Sequence, residues 1–250
     1  SELGRQVLAD DYRRVSPEDI RVVLVEMADR VLTPFDEDLS FSAARQLQAL
    51  GVELALGARV TNVDENGVDL DGHALERIDA SVVVWGSGVA PETFAAASGL
   101  TLDRRGRIRV DLHCAALGSP NIFAIGDVAA FVPEGESEAL PGLGAVAMQQ
   151  GKHVAAQIKR DLKRQPRKTF EYSDRGIMAT IGRSRAVVQA SIKLEGFFAW
   201  VAWCFVHVVL LMGFRNRAIV LFNWTWSYLT FKRGARLISG RRPTPENHQE

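Results

Sequence analysis

Asn121-Ile122-Phe123-Ala124-Ile125-Gly126-Asp127-Val128-Ala129 is a short apolar run that stops at a Gly-Asp pair. Such a run, bounded by glycine, predicts a buried strand, and an acidic residue at its carboxyl end falls where open α/β sheets place their ligands. A carboxylate at that edge suits a ligand rich in hydroxyl groups. The same letters also spell a strand that ends in an ordinary turn aspartate, so the flanking segments decide between the two.

Toward the amino terminus, Ile78 to Trp85 reads as a buried strand and runs into the small-residue loop Trp85-Gly86-Ser87-Gly88-Val89-Ala90-Pro91. Gly86 and Gly88 permit close approach of backbone to a flat ligand, or simply make a turn. Gly106 to Asp111 reads as a short exposed strand leading into the Gly126-Asp127 pair. Further back, Ile20 to Glu26 is a β-branched run that ends in an acid. Asp36 to Leu50 has helical spacing, with Leu39, Ala43, Leu47 and Leu50 on one side and Gly51 as a stop. Val52 to Leu56 is a second strand, and Val60 to Asp64 with Val68 to Asp71 form a hairpin through Glu65-Asn66-Gly67.

Strand, helix and strand with a β-meander attached predict an α/β nucleotide-binding unit. In such folds an acid at the end of the second strand holds the adenine ribose; Glu26 fits that place, the alternative being a solvated strand cap. The Gly-rich phosphate fingerprint belongs about twenty residues earlier. No such glycine cluster stands between Ser1 and Glu26, so the fingerprint is expected just before Ser1; Ser1 to Ala9 already reads as helix interior, and the chain is expected to be a fragment.

Toward the carboxyl terminus, Leu140-Pro141-Gly142-Leu143-Gly144-Ala145-Val146-Ala147-Met148-Gln149-Gln150-Gly151 leads into the helical pattern of His153 to Leu162. Small residues at a helix start leave backbone N–H groups open at the positive end of the helix dipole, where negative charge is stabilised. A plain glycine-initiated helix has the same spelling. From Lys168 the composition changes: Phe170 to Tyr172, Gly176 to Gly182 and Ala186 to Ala190 read as a small antiparallel unit.

Phe197 to Phe214 is then an uncharged apolar stretch of eighteen residues carrying Trp200, Trp203 and His207. A second, Ala218 to Phe231, carries Trp224, Trp226 and Tyr228, and Arg215, Arg217, Lys232, Arg233 and Arg236 bracket the two. Aromatic rings beside cations mark a membrane interface, so this tail is expected to lie monotopically on a lipid bilayer surface. A transmembrane helix is the runner-up, and a core helix or homodimer interface the plainer alternative. His207 reads as a satisfied histidine rather than a ligand, and Arg241 to Glu250 as a disordered polar tail.

Composition bounds the rest. The 250 residues are 47% hydrophobic, ample for a core, and 30 basic residues balance 30 acidic ones, so no global field favours nucleic acid. Cys114 and Cys204 show neither Cys-x-x-Cys nor zinc-ligand spacing and read as reduced, structural thiols; no metal site is expected.

Taken in order, Glu26 at its strand end, Trp85-Gly86-Ser87-Gly88-Val89, Ile125-Gly126-Asp127, Val146-Ala147-Met148-Gln149-Gln150-Gly151, Met178-Ala179-Thr180-Ile181-Gly182-Arg183 and Gly213-Phe214-Arg215-Asn216-Arg217 resemble the motifs of the type II NADH:quinone oxidoreductases, the non-proton-pumping or alternative NADH dehydrogenases. The resemblance covers nearly the whole chain. It implies an α/β, two-dinucleotide-binding-domain flavoprotein fold of Rossmann-like type, truncated, with a carboxyl-terminal α+β membrane-attachment region. By this resemblance residues 1–104 belong to the NADH-binding domain, 105–166 to the carboxyl-terminal part of the FAD-binding domain, and 167–250 to the antiparallel unit, membrane helices and tail.

The reaction so implied passes a hydride from NADH to FAD and two electrons onward to a membrane quinone, at the cytoplasmic face of the membrane if the source is bacterial. Glu26 would hold the adenosine ribose, Gly86, Gly88 and Val89 would lie toward the nicotinamide, and Gly126 with Asp127 would hold the ribityl chain. Backbone amides around Ala147 and Met148 would serve the flavin ring, and Gln149 and Gln150 would line the quinone pocket. Some relatives carry glutamine where this chain has Ala145. The isolated fragment is expected not to retain FAD. The rivals are a disulfide reductase, a sulfide:quinone oxidoreductase and a non-catalytic, membrane-associated nucleotide-binding fragment. The first calls for a His-Pro pair, yet no histidine here precedes proline, and the second calls for further cysteines.

Overall fold

The computed structural model describes residues 16, 18, 20–86, 88, 94–211 and 213–230. The expected opening helix, Val89, the cations Lys232, Arg233 and Arg236, and the polar tail lie outside the described residues. Two compact units divide the chain: Val84–Asp174 forms one, and the residues before and after it form the other. Residues 104 and 166, where the sequence suggested boundaries, both fall within Val84–Asp174.

The first unit begins with β1 (Val22–Glu26), α1 (Glu37–Ala49) and β2 (Val52–Leu56), and β1 pairs with β2 in parallel, Glu26 opposite Leu56. Glu37 and Asp38 in the first turn of α1 complement its dipole. Lys193 pairs with Asp36 and Asp38 at that end, at 2.7 and 2.9 Å. Next come β3 (Arg59–Asp64), β4 (Gly67–Asp71) and β5 (Arg77–Asp79), an antiparallel meander whose first turn is closed by the Asn66 N–H donating to Asp64 Oδ1 at 2.8 Å. Ala55, Ala58, Val68, Leu70 and Ile78 form the core beneath it.

The buried strand expected from Ile78 to Trp85 is corrected. Only Arg77–Asp79 joins the sheet, and Val82, Val84 and Trp85 are exposed, Val84 by 88%. An apolar run becomes a strand only where its N–H and C=O groups meet a ladder partner; the Ala80 N–H donates to the Asn66 carbonyl at 2.9 Å, but no described strand pairs with 81–86.

The second unit contains a one-turn helix α2 (Phe94–Ala97), the short strands β6 (Ile108–Arg109), β7 (Ala115–Ala116) and β8 (Ser119–Phe123), a 3₁₀ turn at Gly126–Val128, β9 (Ala129–Ala130) and the long helix α3 (Gly144–Leu162). β6 pairs with β9 in parallel and β7 with β8 antiparallel. Two readings change. The strand around Ile108 is not exposed, since Ile108 and Val110 are buried in the core with Cys114, Ala124, Phe131, Val154 and Phe170. The run at Asn121 is not wholly buried: Ile122 is 46% exposed, because a strand presents alternate residues to opposite faces and only one face meets this core.

Phe170 to Tyr172 likewise forms no strand. The segment lies along α3, with Lys168 N–H donating to Gln157 Oε1 at 2.7 Å, Phe170 N–H to the Leu112 carbonyl at 2.8 Å, and the Phe170 ring edge-on to Phe131. Burial, with the Asp111 charge second, pushes the Cys114 thiol up to about 12, which keeps it protonated and supports a structural reading.

The chain then returns to the first unit as an antiparallel sheet of β10 (Ile177–Gly182), β11 (Arg185–Gln189) and β12 (Lys193–Glu195). Val187 packs with Val31, Phe35, Leu39 and Ala43, so α1 shares a core with this sheet. On its other face Ala186 and Val188 meet Ala199 of α4 (Gly196–Leu210), which is followed by α5 (Phe214–Thr230). Trp203 stacks on Trp224 at 5.6 Å and Trp200 meets Tyr228 at 5.3 Å, joining the two helices. Arg217 Nε donates to the Leu211 carbonyl beyond the end of α4, where the eighteen-residue run breaks. Among the described residues no helix is long and apolar enough to cross a membrane. His207 donates to the Trp203 carbonyl from Nδ1 at 2.8 Å and stacks on the Trp203 ring.

Candidate functional site

The second unit gathers most of the residues singled out by sequence. Beyond β8 the backbone reaches Gly126 with φ +66°, a conformation natural to glycine, and turns Asp127 outward. A Cβ at Gly126 would lie 3.2 Å from the Ala147 methyl carbon, so helix α3 is packed directly against the turn. The Asp127 carboxylate is flanked by Gly142: a Cβ added there would lie 2.9 Å from Oδ1. Sequence reading did not single out Gly142. Its only local signal is the Pro-Gly-Leu-Gly spelling ahead of the helix, which says nothing of the aspartate fifteen positions earlier.

The two glutamines do different things. Gln149 makes a reciprocal pair with the Ser173 backbone, Nε2 donating to the carbonyl and Oε1 accepting from the N–H, both at 3.0 Å. Gln150 is only 1% exposed, and its Oε1 accepts from the Gly126 N–H at 2.7 Å. The expected open amides at Ala147 and Met148 are corrected. Helix α3 begins at Gly144, so Ala147 N–H already donates to the Leu143 carbonyl at 3.0 Å, and Met148 lies a residue deeper in the helix. The N–H groups that helix geometry leaves open are those of Gly144, Ala145 and Val146, since Leu143 N–H donates to the Pro141 carbonyl. Met148 presents its side chain at the surface.

Gly86 and Gly88 are exposed and have open space where a Cβ would stand, and Gly88 has φ +106°. Neither is crowded by a described neighbour.

Glu26 belongs to the other unit, at the carboxyl end of β1. Its Oε1 accepts from the Ala28 N–H at 3.0 Å and its carbonyl from the Ala58 N–H at 3.1 Å, which holds the half-buried carboxylate at the sheet edge next to the end of β2. An open groove beside α1 is lined by Arg30, Phe35, Asp36, Phe41 and Lys193 among others. Its cations are engaged: Arg30 donates to the Phe35 and Thr33 carbonyls and Lys193 pairs with Asp36 and Asp38.

Comparison with known proteins follows the same lines. The type II NADH:quinone oxidoreductase Ndh of Mycobacterium tuberculosis is 36% identical over 97% of this chain and 53% of its own length. The type II NADH:quinone oxidoreductase of Staphylococcus aureus is 35% identical over 67% of this chain and 42% of its own length. The structure of NDH2 from Plasmodium falciparum in complex with NADH superposes with a TM-score of 0.78 at 15% identity, covering 91% of this chain and 61% of that one, and shows a shared fold. This chain therefore spans about half the length of the curated relatives it matches. Residues 7–151 match the family model of the pyridine nucleotide-disulphide oxidoreductases, and with the Rossmann-like arrangement and the Gly126–Asp127 turn already described, this shows that the chain belongs to that family.

Proposed function

We propose that this chain is part of an FAD-dependent NADH:quinone oxidoreductase that takes electrons from NADH and delivers them to a membrane quinone without pumping protons. The observation that carries the reading is the Gly126–Asp127 turn, with its exposed carboxylate flanked by Gly142 and its backbone packed on Ala147. This arrangement fits a flavin. A polyol chain offers hydroxyl donors to a carboxylate, and the missing side chain at Gly142 keeps one flank of that carboxylate open. When bound, FAD supplies a hydride acceptor and an electron donor for quinone.

The remaining roles belong to this chain's residues. Asp127 accepts hydrogen bonds from the ribityl hydroxyls. The open N–H groups of Gly144, Ala145 and Val146, at the positive end of α3, favour negative charge on the pyrimidine edge of the ring. Glu26 accepts from the adenosine ribose of NADH and disfavours a 2′-phosphate by charge. Gly86 and Gly88 allow the backbone to approach the nicotinamide. Gln149, oriented by its pair with Ser173, lines the quinone path.

Helices α4 and α5 are read as resting on the cytoplasmic face of the membrane. Phe198 and Phe205 of α4 are 74% and 68% exposed, Phe214 and Phe222 of α5 are exposed too, and Arg215 and Arg217 stand beside them. Exposed aromatic rings next to cations suit the headgroup region of a bilayer.

The test is anaerobic. Membranes bearing the full-length protein receive NADH and then a short-chain quinone, with a visible spectrum at each step. Bleaching of the flavin bands by NADH and recovery with quinone is the expected result. Bleaching without recovery removes the quinone from the reading. A protein that co-sediments with no vesicle and forms a stable dimer assigns the apolar face to a second copy instead.

A further inference from the structure

We infer that Gln150 is a positioning residue: by holding the Gly126 N–H it sets the direction in which Asp127 presents its carboxylate, and it does not line the quinone path. The inference rests on the flavin reading above. Ala147, Gln150 and Gly151 stand three and four positions apart on α3, and therefore on one face of the helix. Ala147 meets Gly126, and a Cβ at Gly151 would lie 3.6 Å from Ile125 Cδ1, so this face is the bed on which residues 125–127 rest. Among the described residues, Gln150 supplies the one side-chain hydrogen bond between this face and the turn, at 2.7 Å.

The bond matters because of what it restrains. Glycine has the widest backbone freedom of any residue, and Gly126 sits at φ +66° immediately before the carboxylate. Rotation about Gly126 would re-aim Asp127, and the Gly126 N–H is the group through which the helix prevents it. A buried carboxamide is suited to the task, since it accepts without introducing charge beneath the aspartate. With 1% of its surface exposed, Gln150 could reach a quinone only by releasing that N–H. The neighbouring Gln149 is turned to Ser173 instead, as the roughly 100° step between adjacent helical residues requires.

The test uses the full-length, flavin-loaded protein. Gln150→Met keeps the length and apolar stem but removes the acceptor, and Gln150→Glu, kept protonated and neutral by burial, restores an uncharged carbonyl acceptor at the same reach. Flavin affinity is read by reconstituting the apoprotein and following flavin fluorescence, and the KM for a short-chain quinone is read separately. Gln150→Met is expected to weaken flavin binding about tenfold and Gln150→Glu to return it to within about threefold of wild type, as loss and recovery of one hydrogen bond predict. Quinone KM stays unchanged in both. If Gln150→Met does not accumulate, Gln150→Asn, which withdraws the acceptor by one methylene and stays polar, should show the same loss. Unchanged flavin affinity with a raised quinone KM overturns the inference and returns Gln150 to the quinone path. A wild-type protein that holds no flavin overturns the flavoprotein reading itself, and this inference with it.

Discussion

Gly142→Ala tests the proposed flavin site with little disturbance of the fold. The added methyl carbon would lie 2.9 Å from Asp127 Oδ1, whereas close carbon–oxygen contacts lie near about 3.3 to 3.6 Å. The carboxylate, the end of a mobile side chain, must therefore retreat by roughly half an ångström. The backbone at Gly142 does not need the left-handed region, so alanine itself adds no strain there and reduces the freedom of the unfolded chain. Fold stability should consequently change by no more than about 1 kcal/mol.

Binding is more demanding, since a site must hold its groups within about 0.5 Å of the productive geometry. A hydrogen bond to a charged group contributes about 1.5 to 3 kcal/mol, so displacement of Asp127 should weaken flavin binding by about tenfold to a hundredfold. The assay pairs thermal unfolding of the apoprotein with flavin titration of the full-length variant. An unchanged melting temperature with a weakened flavin affinity is the expected split. Unaltered flavin affinity would refute the assignment of Asp127, and a large loss of apoprotein stability would show that the Gly142 contact serves the fold instead.

Other consequences are open to measurement. Glu26→Arg in the full-length protein should move the NADH to NADPH ratio of kcat/KM toward NADPH by about tenfold or more, as loss of a charged hydrogen bond predicts; an unmoved ratio sinks the ribose assignment. Burial, followed by repulsion from His113, holds the His153 imidazole below its ordinary range, so the unfolded chain takes up the proton first. The stability this contributes is complete above a pH of about 6.5 and is lost as the pH falls toward and through the lower folded value. Melting temperatures should decline on acidification across that window, less steeply in His153→Phe, and identical slopes would remove His153 from the account. Gly151→Ala places a methyl group in ordinary contact with Ile125 inside α3 and should raise stability by about 1 kcal/mol in a thermal melt; a lower melting temperature would mean that Ile125 cannot accommodate it.

Local pattern was a good guide wherever neighbours in sequence define the element. Val52 to Leu56 is a strand over the expected residues, the helix after Asp36 ends ahead of Gly51, and the hairpin turns at Glu65-Asn66. In each, side-chain periodicity and turn chemistry act within a few residues. The pattern misled where burial depends on a distant partner. Val82 to Trp85 has the composition of a buried strand but no described strand beside it, while Ile108, set between arginines, is buried because β9 lies parallel to β6 and brings Ala129 opposite it. Phe170 left the expected antiparallel unit because the Leu112 carbonyl and the Phe131 ring hold it against α3.

By itself the sequence determined the strand, helix and strand over residues 22–56 with the hairpin that follows, the Gly126-Asp127 pair at the end of an apolar run, the acid at the end of β1 and the two apolar stretches flanked by cations. These are properties of residue type and short spacing, which govern dihedral preference and periodicity. Only the tertiary structure decided which polar groups meet. Gln149 and Gln150 are adjacent and identical in chemistry, yet one holds Ser173 and the other the Gly126 N–H, each 24 positions away. The angular step of the helix sends neighbouring side chains to different faces, and chain folding alone chooses what stands opposite each face.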